Sequence, residues 1–213
     1  MNNENNSHRK NEIAVAFISD FLKQCSIENN KIVVDHYLYL AASLTGVSCA
    51  VAAKREFVAN NVNSNGTNNT IAVIETESGN FFYGNILNDL LYESKDSVWS
   101  MICEANKHNK ISDLPDIQKI INDTARKIGN KDAKIWNEQH DPYKEMRYAK
   151  KTYDYICDQL NALNISSMEM KIAFSDTLIS IIEKISKFFP SEVNCIELSL
   201  DTISFYAHMD IDH

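Results

Sequence analysis

Apolar residues recur every four positions near the start of the chain, at Ile13, Phe17, Phe21 and Cys25. This spacing places their side chains on one face of a helix, so the pattern predicts an amphipathic helix over residues 12–25. The segment before it is polar and lacks apolar periodicity. We therefore expect residues 1–10 to form a disordered tail, because they have no apolar face to bury.

The next segment contains no Asp, Glu, Lys or Arg from residue 36 to residue 53. Its length is near the lower limit for a membrane span, which needs about 17–25 apolar residues. Its middle is only weakly apolar, and the small residues Ala42, Gly46 and Ala50 recur every four positions. Small side chains at this spacing let two helix backbones approach closely. The segment therefore predicts a buried core helix and no membrane association.

Two β-prone segments flank a turn in the first half of the chain. Residues 71–76 are rich in β-branched side chains, residues 81–83 are aromatic, and a Gly-Asn pair lies between them. This arrangement is typical of two antiparallel strands that are joined by a tight turn. The sequence therefore predicts a β-hairpin near residues 70–84.

Asp141-Pro142 marks the start of another helix, because an acidic N-cap and a proline in the first turn both favour helix initiation. The predicted helix carries an apolar seam at alternating spacings of three and four residues: Met146, Ala149, Tyr153, Ile156, Leu160 and Leu163. A seam of only about three heptads is short for an autonomous coiled coil, so we expect it to pack within the chain. The alternative is a homodimer that forms through residues 146–163.

The apolar pattern changes after Asn164. Alternation over residues 168–174 predicts a strand, and a helix that begins at Ser167 is the alternative. Residues 196–200 and 203–207 also alternate, which predicts C-terminal strands. The predicted fold class is therefore α+β: a mostly helical single domain over residues 11–213, with a small antiparallel sheet made of the hairpin and the C-terminal strands.

The charge of the chain bears on its partners. Asp and Glu number 29 against 21 Lys and Arg, which gives a formal net charge of -8. Nucleic-acid-binding proteins normally carry a basic footprint, so this charge argues against a general nucleic-acid binder. It favours a soluble protein whose partner is another protein, and a basic one.

The five cysteines are widely spaced and include no Cys-x-x-Cys pair. This excludes zinc ribbons and thioredoxin-type redox sites, and it predicts reduced thiols in a cytoplasmic protein. The chain is also rich in Asn, Ile and Lys. These residues have A/T-rich codons, which favours a prokaryotic source.

Candidate chemistry is sparse. The sequence contains no P-loop, no Gly-x-Gly-x-x-Gly, no His-Glu-x-x-His and no serine nucleophile elbow, and it predicts no cofactor. One candidate metal site is formed by His208, Asp210 and Asp212, which alternate at the C-terminus. On a strand they would project from one face and offer an imidazole and two carboxylates to a divalent cation.

A second candidate site is a basic and aromatic patch near the start of the helix that follows Pro142. Lys144, Arg147 and Lys151 would hold phosphates while Tyr148 stacks on a base. Acidic residues share this helix, so a solvated surface beside the apolar seam is the competing interpretation.

Acidic charge and the absence of a recognisable catalytic motif together predict a non-enzymatic protein-binding protein. An immunity protein or inhibitor that covers the active site of a basic toxin fits this description, as does an accessory factor of a bacterial toxin or defence system. The alternative is an enzyme with an unfamiliar site, metal-dependent through the C-terminal His and Asp residues.

Overall fold

The structure is a computed structural model that describes residues 2–63, 71–109, 113–135, 140–188 and 194–210. It confirms a mostly helical α+β fold with small antiparallel sheets. The helices are α1 (Asn2–Cys25), α2 (Val34–Asn63), α3 (Asn85–Asn88), α4 (Val98–Asn109), α5 (Ile117–Lys127), α6 (Pro142–Leu160), α7 (Ser167–Phe188) and α8 (Cys195–His208). The strands are β1 (Ile27–Glu28), β2 (Lys31–Ile32), β3 (Ile71–Thr76) and β4 (Gly79–Gly84), and they form the hairpins β1–β2 and β3–β4.

Helix α2 supplies the centre of the core, and it packs against α1, α6, α7 and α8. Its middle part, residues 38–53, is buried on nearly all sides rather than along one stripe, as the part of a helix that is surrounded by other helices must be. The segment Val34–Ala59 is long and apolar enough to cross a membrane, and 83% of its most apolar window is buried inside the structure. The uncharged segment of the sequence is therefore enclosed by the other helices of the chain.

Helix α8 lies in close contact with α2 at Gly46. An ideal Cβ atom on Gly46 would lie 2.6 Å from the carbonyl oxygen of Ile203 and 2.8 Å from Cβ of Tyr206. Ala42 and Ala50 on the same face are also buried. The predicted close approach of two helix backbones is thus confirmed, and α8 is the helix that approaches.

The apolar seam of α6 faces the interior of the chain. Met146, Ala149, Tyr153, Ile156 and Leu160 are buried, and Tyr153 stacks on Phe174 of α7 with 5.5 Å between ring centroids. Leu163 packs against the core from a short 3-10 turn after α6. A coiled coil with a second copy would need these side chains to leave the core.

The predicted C-terminal strands are wrong, because residues 195–208 form helix α8. This helix is buried along nearly its whole length, so its apolar residues follow no helical stripe and the alternation within them is coincidental. Residues 168–174 lie in α7, so the helical alternative for this segment is correct. The predicted hairpin near residues 70–84 is confirmed as β3–β4.

The expected N-terminal tail is helical from Asn2 onward, because α1 extends through residues 2–10. Polar contacts with the start of α7 hold this part of α1. Lys10 Nζ donates to the Asn164 carbonyl at 3.3 Å, and Ser7 Oγ donates to a Glu169 carboxylate oxygen at 3.2 Å. Such contacts leave no apolar pattern in the sequence.

Asp141 caps α6 as predicted. Its carboxylate accepts from the Lys144 amide at 3.3 Å, from Lys134 Nζ at 2.8 Å and from Lys144 Nζ at 3.1 Å. The hydrogen bond from Lys134 is the main reason that the pKa of Asp141 falls to about 2. A helix N-terminus also favours a negative charge.

We expect the charge of Asp141 to stabilise the fold above pH 4 and to lose this effect as the pH falls towards 2. A carboxyl group whose pKa is lower in the folded state stabilises that state only while the carboxyl is ionised. Asp141→Asn keeps a side-chain cap but removes the charge. Urea unfolding at several pH values should show Asp141→Asn less stable than wild type at pH 6, with the difference shrinking below pH 4. A difference that is constant with pH would contradict this role.

Candidate functional site

The two described residues of the predicted C-terminal metal site, His208 and Asp210, do not share a strand face. His208 is the last residue of α8, and its buried Nδ1–H donates to the Ser204 carbonyl at 2.6 Å. Asp210 accepts from Lys54 Nζ at 2.8 Å, and Asp212 lies outside the described residues. Within the described ranges, no group of three or more His, Cys, Asp or Glu side chains is arranged to hold a metal ion.

Structural contacts account for the two described members of that group. Burial lowers the pKa of His208, and its ring lies 4.9 Å from the ring of Tyr83 on β4. The Asp210 amide donates to the Asn80 carbonyl at 2.9 Å, next to an isolated bridge between Phe81 and Met209. This segment therefore fastens the end of α8 to β4.

The four residues of the predicted nucleic-acid patch do lie together on one exposed face of α6: Lys144, Arg147, Tyr148 and Lys151. Lys144 is paired with Asp141, so Arg147 and Lys151 are the patch cations that have no ion-pair partner among the described residues. DNA-binding proteins often make about 6–10 phosphate contacts, and two unpaired cations are few by comparison. The proximity is confirmed, and nucleic-acid binding stays a prediction.

A network of titratable side chains joins α2, α6 and α8. The Tyr39 and Tyr206 hydroxyls lie 2.8 Å apart, the rings of Tyr39 and His140 stack with 3.6 Å between centroids, and His140 Nδ1 lies 3.1 Å from a Glu145 carboxylate oxygen. Burial acts to raise the pKa of Glu145, but hydrogen bonds from His140 and Tyr39 outweigh it and lower this pKa. Burial is the main cause that raises the pKa values of Tyr39 and Tyr206.

The network anchors the start of α6 to the two core helices. Its members are distant in sequence and match no catalytic motif, so sequence patterns gave no signal for it. Its polar groups bond mainly to each other, and a fully satisfied network of this kind fixes one packing arrangement.

Lys171 on α7 is a second buried polar group that the sequence did not indicate. It is fully buried, and its Nζ donates to the Asp96 carbonyl just before α4. Burial is the main cause that lowers its pKa. Because a buried ammonium group needs such a partner, this contact ties α7 to the segment that leads into α4.

Two of the cavities in the described part of the chain open between helices. One of about 650 Å³ runs along α4 and α7, past Trp99, Cys103 and Ile179. The other, of about 490 Å³, lies between α2 and α6. Neither is lined by the Tyr39–His140 network. The α2–α6 cavity carries the denser set of charged side chains.

The β3–β4 hairpin presents an exposed strand edge. Strand β4 pairs with β3 on one side and is bridged to Met209 on the other, so β4 is the inner strand. On β3, Ala72, Val73, Ile74 and Glu75 are all exposed. Val73 and Ile74 are 51% and 47% exposed, although both are apolar.

The backbone direction along this edge follows from one hydrogen bond. The Asn80 carbonyl accepts from the Asp210 amide, so it points away from β3. In an antiparallel pair, hydrogen-bonded and non-hydrogen-bonded positions alternate. Glu75 opposes Asn80 and Val73 opposes Phe82, so the amides and carbonyls of Glu75 and Val73 point outward from the hairpin.

Comparisons of the chain with protein-family models, with curated proteins and with solved structures give no match. The chemistry of the described surfaces is therefore what bears on function.

Proposed function

We propose that this chain is a non-enzymatic protein-binding protein that adds an extended segment of a basic partner to the free edge of β3. The exposed apolar edge of β3 is the observation that carries the proposal. Strand addition supplies affinity through main-chain hydrogen bonds and specificity through alternate side chains.

Within the described residues, the β3 edge has none of the usual protection against strand addition. Natural edge strands are shielded by lysines, prolines, bulges or a covering segment. Residues of β3 and β4 pair one to one, from Ile71 opposite Gly84 to Thr76 opposite Gly79, so β3 contains no bulge. Its single charged residue is Glu75. An added strand would pair with outward backbone groups and cover both Val73 and Ile74.

The charge of this region favours a basic partner. From residue 56 to residue 94 the sequence contains five carboxylates and no Lys, Arg or His. Glu75 and Glu77 lie on β3 and in the turn that follows it. Complementary charge guides association and discriminates against wrong partners, so lysine or arginine residues that flank the docked segment would suit this edge.

An inhibitor or immunity protein that binds a basic toxin, or an accessory factor of a toxin or defence system, would use a surface of this kind. The odd number and wide spacing of the five cysteines support a cytoplasmic location.

Val73→Pro should abolish strand addition while the hairpin persists. The Val73 amide points outward, so proline removes a donor that β4 does not use, and prolines are tolerated at such edge positions. The probe is a fluorescent peptide that alternates valine and threonine between pairs of lysines. We expect the wild type to raise its fluorescence anisotropy, and Val73→Pro to leave it unchanged at a similar melting temperature.

Two controls separate backbone pairing from charge. The same peptide with glutamates in place of lysines should not bind, and Glu75→Lys should weaken binding of the lysine peptide. Equal binding to wild type and Val73→Pro, or no binding of the lysine peptide, would overturn the proposal. A wild-type dimer that Val73→Pro converts to a monomer would show that a second copy occupies the edge instead.

A further inference from the structure

The cavity between α2 and α6 collects charged side chains from both of its walls. Its volume of about 490 Å³ lies within the range of about 300–1,000 Å³ typical of small-molecule sites. Helix α2 contributes one wall and α6 the other: Val51, Lys54, Arg55, Lys150, Tyr153, Asp154, Cys157 and Asp158.

Two of the three cations in this cavity are already neutralised. Lys54 Nζ lies 2.8 Å from an Asp210 carboxylate oxygen, and Lys150 Nζ lies 2.6 Å from an Asp154 carboxylate oxygen. These pairs remove most of the attraction that the cavity would otherwise have for a simple anion.

Arg55 and Asp158 are the lining charges that remain. Both are exposed, and neither has an ion-pair partner within 4.0 Å among the described residues. Arg55 belongs to α2 and Asp158 to α6, so the two opposite charges face one cavity from different walls without contacting each other.

Cys157 lies near both of these charges. Burial is the main cause that raises the pKa of its thiol, and the interaction with Tyr153 is the largest effect that lowers it. The charges of Asp154, Arg55 and Asp158 have smaller effects on this pKa. The Tyr153 hydroxyl also hydrogen-bonds to the thiol. Val51 and the ring of Tyr153 also line the cavity and give it apolar surface.

We propose that this cavity binds a small zwitterion of the amino-acid type, with its carboxylate on Arg55 and its ammonium group on Asp158. The planar guanidinium group matches a carboxylate with two parallel hydrogen bonds, and a carboxylate accepts from an ammonium group. The apolar part of the ligand would lie against Val51 and Tyr153. This site is formed by other residues than the β3 edge, so it stands independently of the proposed function.

The test compares three ligands of matched shape by NMR titration of the ¹⁵N-labelled full chain. L-leucine carries both charges, 4-methylpentanoate lacks the ammonium group, and 3-methylbutylamine lacks the carboxylate. We expect L-leucine to shift the amide signals of residues 51–55 and 153–158, and these shifts should saturate as its concentration rises. The two single-charge analogues should bind at least about tenfold more weakly.

Two variants test the assignment of the charges. Arg55→Gln and Asp158→Asn should each weaken L-leucine binding about tenfold or more, whereas Lys151→Gln on the outer face of α6 should leave it unchanged. All three positions are exposed, so the variants should fold. Binding of 4-methylpentanoate as strong as that of L-leucine would show a simple anion site and overturn the proposal. The proposal would also be overturned if L-leucine binding did not saturate. The same holds if Arg55→Gln and Asp158→Asn bound L-leucine as strongly as the wild type does.

Discussion

Gly46→Leu is expected to lower the free energy of unfolding by about 3 kcal/mol or more, because it forces α2 and α8 apart. An ideal Cβ at this position would lie 2.6 Å from the Ile203 carbonyl oxygen and 2.8 Å from Cβ of Tyr206. Both atoms belong to or adjoin the backbone of α8, so no side-chain rotation relieves the contact. A leucine would insert three further carbon atoms into the same space.

Gly46→Ala tests the same contact with the smallest addition. Alanine favours a helix over glycine by about 1 kcal/mol, so without the contact it would stabilise α2. We expect a net destabilisation, since one Cβ already overlaps the backbone of α8. Urea unfolding followed by circular dichroism measures both variants. Ala16→Leu, at an exposed position of α1, is the control and should stay close to wild type. An unchanged midpoint for Gly46→Leu would show that the two helices do not meet here.

The elements that sequence patterns predicted are those with local signals. Asp141 and Pro142 mark the start of α6 because an acidic N-cap and a proline in the first turn favour helix initiation. The β3–β4 hairpin is indicated by β-branched and aromatic residues on either side of a turn. The close approach of a second helix at Gly46 was also predictable, because small residues at four-residue spacing commonly let two helix backbones approach closely. In each case a few neighbouring residues determine the structure.

Helix α8 could not be predicted in this way. It packs against α2 and α5 and also touches β4, so it keeps no polar face that would show a period of 3.6 residues. The buried residues Ser199, Thr202 and Ser204 interrupt the apolar residues of α8, and Ser204 Oγ donates to the Leu200 carbonyl within the helix at 2.6 Å. Apolar residues such as Ile203 and Phe205 then alternate with polar ones as they would in a strand.

The candidate sites also differ in whether local sequence or distant contacts bring their residues together. Lys144, Arg147, Tyr148 and Lys151 share a face because one helix carries them, and the sequence showed this. The free edge of β3 depends on the pairing of β4 with Met209, which brings together distant parts of the chain. The cavity that contains Arg55 and Asp158 likewise exists only once α2 and α6 are packed. No local pattern encodes such contacts.

Ile156→Asp is expected to destabilise the whole fold by about 4 kcal/mol or more, because it buries a charge without a partner. Ile156 is 0% exposed, and it lies on the face of α6 that also buries Tyr153 and Leu160. The free energy of unfolding of a typical protein is about 5–15 kcal/mol, so this loss removes much of the stability of the fold. A thermal melt should show a large fall in the melting temperature or no folded baseline.

The matched control adds the same charge to the same helix. Gln159→Asp places a carboxylate on the exposed side of α6, and it should shift the melting temperature little. Size-exclusion chromatography with light scattering, run beside the melt, separates core packing from assembly. If the seam were a dimer interface, Ile156→Asp would give a folded monomer from a dimeric wild type. We expect unfolding instead, because within this one chain the seam already has the buried partners that a coiled coil would otherwise provide.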